Sequence, residues 1–359
     1  MRKTLTTLAL ILSAGCGSEP SPTVKFRTPI GDPTAKAARS LLLGLDDVER
    51  KMWFDQMAVS GNYLYFNIPW HGVYRMPKYS GDIIPLEEAN GVEDFRGIAV
   101  NATDVFWSKE SSFGSVGPDF PYTRLRRQPL VGGAITTVAE GGFGIGEEFN
   151  GARMFYASPT AVYGPVTNPR QNFYDLTRFS LDGGAASPSL FRFDLGPPNP
   201  NLYTMALDEA FAYVNTCGLA PGVGCTLSRV ELSTGQTDTL ASPAEKATVG
   251  AVDATDLYVT ADLQLLKLPK QGGGQPTLLA TFASESFLGP QMLVDETDVF
   301  VVSSSNTLWA VPKAGGEPRA LATGFPYGID SLAQDERNVF VMYGYDTIDI
   351  VPKSLSTSP

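Results

Sequence analysis

His71 is the only histidine in the 359-residue chain, and it stands in the stretch NIPWHG beside Trp70. As a general base it would serve a hydrolysis or an elimination, provided that carboxylates on the same surface converge on it. No GxSxG elbow accompanies it, so a Ser–His–Asp arrangement has no nucleophile marked in the sequence. Gly142, Gly144 and Gly146 in GGFGIGEEF imitate part of a phosphate-binding loop. A helix and a Lys-Ser/Thr pair would have to follow, and neither does, so the stretch reads as a turn. Cys217 and Cys225 lie in CGLAPGVGC without a second pair or a histidine nearby. That spacing suits a disulfide, worth about 2–3 kcal/mol on loop-entropy grounds, better than a metal site. No metal and no cofactor is expected.

Charge removes another class of function. The chain carries 27 basic and 38 acidic residues, a net charge of −11, with no basic stripe for nucleic acid. The acidic residues are interspersed with lysine and arginine, which reads as solubility. With 43% hydrophobic residues the chain is globular, and 36 glycines with 27 prolines favour short strands and frequent turns.

The elements that must position any chemistry are repeats. The unit is clearest in AVDATDLYVTADLQLLKLPKQGGGQPTLLA, residues 251–280. Related segments start at residues 58, 99, 156, 206, 251, 293 and 333, at spacings of 40 to 57 residues. Each begins with an apolar strand and a polar turn, often opened by aspartate, whose carboxylate accepts the following amides. A β-branched or aromatic strand follows, then a third strand closed by proline, a glycine-rich hairpin and a fourth apolar run. Asp104, Asp256 and Asp298 recur at one place in the unit, which marks them as part of the repeat. The same applies to Asn101-Ala102-Thr103, a glycosylation-like sequon in the turn position. A four-stranded unit cannot bury both faces alone, so neighbours must stack, and this period matches the blade of a β-propeller.

The VDATD–VPKxGG–xLA pattern resembles the propeller repeats of bacterial lipoproteins, and is loosely similar to NHL and YWTD propellers. The resemblance covers nearly everything after residue 38 and implies an all-β fold, with little said about activity. Seven units are countable, and the last stops after its third strand. A seven-bladed ring then needs its final strand from elsewhere, and Leu41–Leu43 in ARSLLLGL is the expected donor. A six-bladed ring, with the divergent third unit set aside, is the alternative.

The N-terminus carries an address. Arg2 and Lys3 precede an apolar run, Leu5 to Leu12, too short to span a bilayer. Leu12-Ser13-Ala14-Gly15-Cys16 resembles the lipobox of bacterial lipoproteins, which implies lipidation of Cys16. Residues 1–15 are then a signal peptide, 16–35 a flexible lipidated tether and 36–359 a single propeller domain. The expected location is the bacterial cell envelope, attached by lipid to the outer membrane.

On such a scaffold, loops in excess of the repeat mark the binding surface. Between the second and third strands, units two, three and four insert SKESSFGSVGPDFPY (108–122), GPVTNPRQNFYD (164–175) and NTCGLAPGVGCT (215–226). Regular units spend only TADLQ or SSSN there. Candidate contacts are the aromatics Phe113, Phe120, Tyr122, Phe143, Phe173 and Tyr174 with the polar Asp119, Glu147, Glu148 and Arg170. Rigid aromatics with a few carboxylates suit a protein, peptide or glycan ligand. The expected role is therefore binding or scaffolding, against a rival hydrolase or lyase using His71.

Overall fold

The computed structural model describes residues 23–27, 39–44, 56–79, 82–90, 93–111, 122–141, 144–145, 155–168, 173–182, 189–194, 202–217, 225–241, 247–261, 263–282, 287–344 and 347–354. Among them every regular element is a strand, and the strands form seven antiparallel blades of a β-propeller. Blade 1 comprises Met57–Ser60, Tyr63–Ile68, Gly72–Pro77 and Ile84–Glu88. Blade 2 comprises Glu93–Val100, Asp104–Ser111, Tyr122–Pro129 and Thr136–Gly141. In blade 3, Ala161–Asn168, Phe173–Ser180 and Phe191–Asp194 follow an inner edge split between Gly144–Ile145 and Tyr156–Ala157. Blade 4 runs Leu202–Leu207, Phe211–Cys217, Cys225–Glu231 and Thr237–Ala241. Blade 5 runs Ala247–Val252, Asp256–Ala261, Gln264–Pro269 and Thr277–Thr281, and blade 6 runs Phe287–Val294, Asp298–Ser303, Leu308–Pro312 and Arg319–Ala322. Blade 7 has Ile329–Gln334, Asn338–Tyr343 and Thr347–Pro352.

The second strand of each blade explains why the repeats read as continuous apolar runs. Along Asp256–Ala261, Leu257 and Val259 pack toward blade 4, while Tyr258 packs toward blade 6. In the next blade Val299 and Val301 face back and Phe300 and Val302 face forward. Both faces are buried, so polar alternation disappears. Seven hydrophobic clusters result, each across one interface of consecutive blades, and the cluster of Met57, Leu64, Phe340 and Ile350 joins blade 7 to blade 1.

The first turn of blades 2 to 7 is one motif. Asp253 Oδ1 accepts the amides of Thr255 and Asp256 at 2.9 and 2.8 Å, and Asn101, Asp208, Asp295 and Asp335 do the same. In blade 3 the hydroxyl of Ser158 takes this role, accepting from Thr160 and Ala161. The divergent third unit is therefore a true blade, and the six-bladed alternative falls. Asp104, Asp256 and Asp298 each accept a hydroxyl from the preceding threonine, so their recurrence belongs to the turn.

Arg39–Gly44 closes the ring, with Leu41 opposite Ile348 and Leu42 opposite Thr347. One further strand was not expected. Thr23–Arg27, within the stretch read as a tether, pairs antiparallel with Arg39–Gly44 and makes blade 7 five-stranded. An otherwise bare ladder on Arg39–Gly44 is thereby covered.

Candidate functional site

The blades present two faces. Hairpins between first and second strands, and between third and fourth, open on the lower face. The second-to-third hairpins and the blade-to-blade connections open on the upper face.

All seven blades are pinned alike at their lower end. The residue after the third strand donates its amide to the first turn of its own blade, from Lys78 to Asn62 O in blade 1 through Lys353 to Arg337 O in blade 7. With that end fixed, differences in strand length appear on the upper face. The second and third strands hold eight residues each in blades 2 and 3 and seven in blade 4, against five or six in blades 5 to 7. Two extra residues raise a hairpin by about 7 Å. Much of what reads in sequence as loop is thus strand, because Ser108–Ser111, Gly164–Asn168 and Phe173–Asp175 continue the ladder. Consecutive blades 2, 3 and 4 form a raised wall on one side of the upper face.

Tyr122 opens the third strand of blade 2 opposite Ser111, with the Arg124 guanidinium 5.2 Å from its ring centre. Burial and the hydrogen bond that its hydroxyl donates to Glu140 push the Tyr122 pKa upward. Phe173 and Tyr174 open the third strand of blade 3 opposite Asn168 and Thr167. Phe113, Asp119, Phe120, Phe143, Glu147, Glu148 and Arg170 lie outside the described residues, as does Cys16. Cys217 and Cys225 sit directly opposite each other at the top of blade 4, and Cys225 is disulfide-bonded.

Beside the wall, on the upper rim of blades 1 and 2, lies a polar cluster that sequence reading did not assemble. Its tip is Trp70, 49% exposed and held at φ 65°. Such a backbone is costly for a bulky residue and persists only where the surroundings enforce it. Here the Trp70 amide donates to Asp94 Oδ1 at 3.2 Å, and Arg96 Nε donates to Asp94 Oδ2 at 2.7 Å. Burial raises the Asp94 carboxyl, opposed by Arg96 and by backbone donors from Trp70 and Phe95. Next in the chain, His71 donates its amide to Ile68 O, and its carbonyl accepts from the Ala89 amide and the Tyr74 hydroxyl. Gly72 permits this approach, since a Cβ there would meet Glu87 O at 2.4 Å.

Behind this tip the charges are paired. Glu87 accepts from Lys109 at 3.0 Å, from the Trp107 indole at 2.8 Å and from Arg126 at 3.4 Å. Lys109 also reaches Glu93 at 2.9 Å, and Glu93 accepts the Asn90 amide. These side chains are about four-fifths buried or more. Glu87, Glu93 and Asp94 are each committed to a cation, which makes this part of the rim a rigid, charge-paired platform. Among the described residues no group of three or more His, Cys, Asp or Glu is placed to hold a metal.

A cleft of about 670 Å³ on the lower face is lined by Tyr79, Asp295, Arg319, Arg337 and Lys353. Its Lys353 and Arg319 are already engaged with Asp295 and Asp298.

No protein-family model matches the chain, and no curated protein matches it. Solved structures do resemble it. Virginiamycin B lyase from Staphylococcus aureus aligns at TM-score 0.58 and 10% identity, covering 92% of this chain and 100% of the lyase. YCF48 bound to D1 peptide aligns at 0.57 and 9% identity, covering 88% and 97%. The computationally designed Ika8 protein aligns at 0.54 and 10% identity, covering 84% and 97%. At these identities the likeness is one of fold, and an enzyme, a peptide-bound protein and a designed one share it.

Proposed function

We propose that this chain is an exported lipoprotein, anchored through Cys16 to the bacterial outer membrane, whose propeller binds a protein, peptide or glycan on its upper face. The observation that carries the binding role is the raised wall of blades 2 to 4 beside the strained, exposed Trp70. An aromatic held in an unfavourable backbone on a rigid, charge-paired base suits recognition, because it loses little freedom when a ligand packs on it. Glu87, Glu93 and Asp94 of the rim are each paired with a cation, which favours binding over acid–base catalysis. Within this reading, a disulfide joins Cys217 to Cys225 and ties the top of blade 4 for export to an oxidising compartment.

The test is affinity capture from envelope extracts with the intact protein, a variant lacking residues 112–121 and Trp70→Ala. A partner retained by the intact protein and lost with either variant supports the site, and equal capture by all three refutes it. The rival reading, a hydrolase or lyase using His71, draws on that residue sharing the rim with Trp70 and Asp94. His71→Ala would abolish any such activity, and unchanged turnover would remove His71 from the chemistry.

A further inference from the structure

The fifth strand of blade 7 sets how an anchored propeller can stand on its membrane. We infer that the outer rim of blade 7 faces an anionic lipid surface and that blades 3 and 4 form the distal side of the ring. The inference rests on the proposed lipidation of Cys16 and adds an orientation to it.

Two observations support it. Thr23–Arg27 is locked into the sheet against Arg39–Gly44, so only residues 17–22 separate Cys16 from the fold. At roughly 3.3–3.6 Å per residue these links reach no more than about 25 Å, whereas a free chain to residue 38 would reach about 75 Å. Thr23 pairs with Gly44, and Leu42 pairs with Thr347, which follows the upper hairpin of blade 7. The chain therefore enters at the upper rim of that blade, and in a ring of seven the opposite positions are blades 3 and 4.

Charge supplies the second observation. From residue 16 to residue 44 the basic residues are Lys25, Arg27, Lys36 and Arg39, and the acidic ones are Glu19 and Asp32. The chain as a whole has 38 acidic to 27 basic residues, so this segment has the opposite sign from the rest. A basic segment beside a lipid anchor is attracted to anionic headgroups while the acidic remainder is repelled. The wall of blades 2 to 4 is thereby held toward its partner and away from the bilayer.

Ser354 and Asp182 are exposed, and each follows the first residue beyond the third strand of its blade, Lys353 in blade 7 and Leu181 in blade 3. They therefore differ mainly in position around the ring. A clickable azide-bearing residue is placed at position 354 or 182, and energy transfer is read to a headgroup acceptor in phosphatidylglycerol vesicles. Chains purified from membranes are compared with chains coupled through Cys16 to a maleimide lipid. Severalfold stronger transfer from 354 is expected in both preparations, whereas equal transfer or a stronger signal from 182 overturns the orientation. A chain missing from membranes overturns the lipoprotein reading alone, because the maleimide arm still reports the geometry. Val24→Pro with Phe26→Pro should release the fifth strand and shrink the contrast. A contrast unchanged by that variant would also overturn the inference.

Discussion

Lys78 of the first blade and Asp335 of the last lie 257 residues apart in sequence, yet their charged atoms are 2.6 Å apart across the seam of the ring. The same relation repeats. Lys270 reaches Asp208, Lys313 reaches Asp253 and Lys353 reaches Asp295, each lysine bridging to the turn aspartate of the preceding blade. At the three remaining interfaces the turn residue is Ser60, Asn101 or Ser158, and the position of the lysine is Leu130, Leu181 or Leu232. Aspartate thus occurs with lysine, and an uncharged turn with leucine, at every interface. A half-buried charge is tolerated only beside its counter-charge.

That pairing can be transplanted. Lys353→Leu alone leaves Asp295 without its cation and should cost about 1–3 kcal/mol. Asp295→Ser with Lys353→Leu copies the Ser158–Leu232 interface and should recover most of the loss. Urea unfolding of the two single variants and the double variant measures the coupling. Additive losses would show that the ion pair is incidental.

Acid should act on these same aspartates. At Asp335 burial raises the carboxyl, but the hydrogen bond from Lys78 and those from the turn amides outweigh it and bring the pKa from 3.8 to about 2. Asp208, Asp253 and Asp295 are lowered for the same reasons. A depressed carboxyl contributes stability above its unfolded pKa and loses it as pH falls through the folded one. Unfolding midpoints should therefore drop steeply between pH 4 and pH 2.

Asp330 works in the opposite direction. Burial raises its pKa from 3.8 to about 7, and its Oδ2 has no hydrogen-bond partner among the described residues. A raised carboxyl contributes most below its unfolded pKa and loses that contribution as pH climbs toward the folded one. Asp330→Asn should raise stability at pH 8, on the order of 1–3 kcal/mol, with no gain at pH 4. A gain of equal size at both pH values would point to packing instead of ionisation.

Trp70 should separate stability from binding. Trp70→Gly removes the left-handed strain and should leave the thermal midpoint unchanged or slightly higher, while weakening capture of the partner. Gly72→Ala drives a methyl group into Glu87 O and should destabilise by about 2–4 kcal/mol. Equal destabilisation by both would make Trp70 a packing residue.

The two N-terminal strands should differ in weight. Deleting residues 39–44 exposes Thr347–Pro352 as a bare edge beside core residues Ile348 and Ile350, and should give an aggregating chain with a midpoint many degrees lower. Deleting residues 17–27 removes only the outermost strand and should lower the midpoint by a few degrees. Matching losses, read by differential scanning calorimetry, would contradict ring closure by Arg39–Gly44.

Several features were legible in the sequence because they are local and periodic. AVDATDLYV carries its turn aspartate and its twice-buried strand in nine consecutive residues, so seven such segments are countable as repeat units. Leu41–Leu43 was recognisable because a ring lacking a fourth strand must find one. Other features were not legible. GPVTN and NFYD read as loop from their proline and asparagines, although Asn168 and Phe173 end a continuous ladder. TVKFR lies among prolines and shows strand character only through its pairing with Arg39–Gly44. Trp70 gave no sign of strain, since its positive φ belongs to an Ile68–His71 turn without glycine at that place, and its amide is held by Asp94, 24 positions away.

The sequence by itself determined the blade repeat, the turns within it and the strand that closes the ring. Each depends on hydrogen bonds and burial that a short segment specifies within its own repeat. Seven blades over six was decided by the Ser158 turn of the third blade. Only the tertiary structure decided that Lys353 answers Asp295, that blades 2 to 4 rise above the ring, and that Trp70 stands strained over Asp94. Those are relations between neighbouring blades, and they exist only once stacking brings distant residues within reach of a charge or a hydrogen bond.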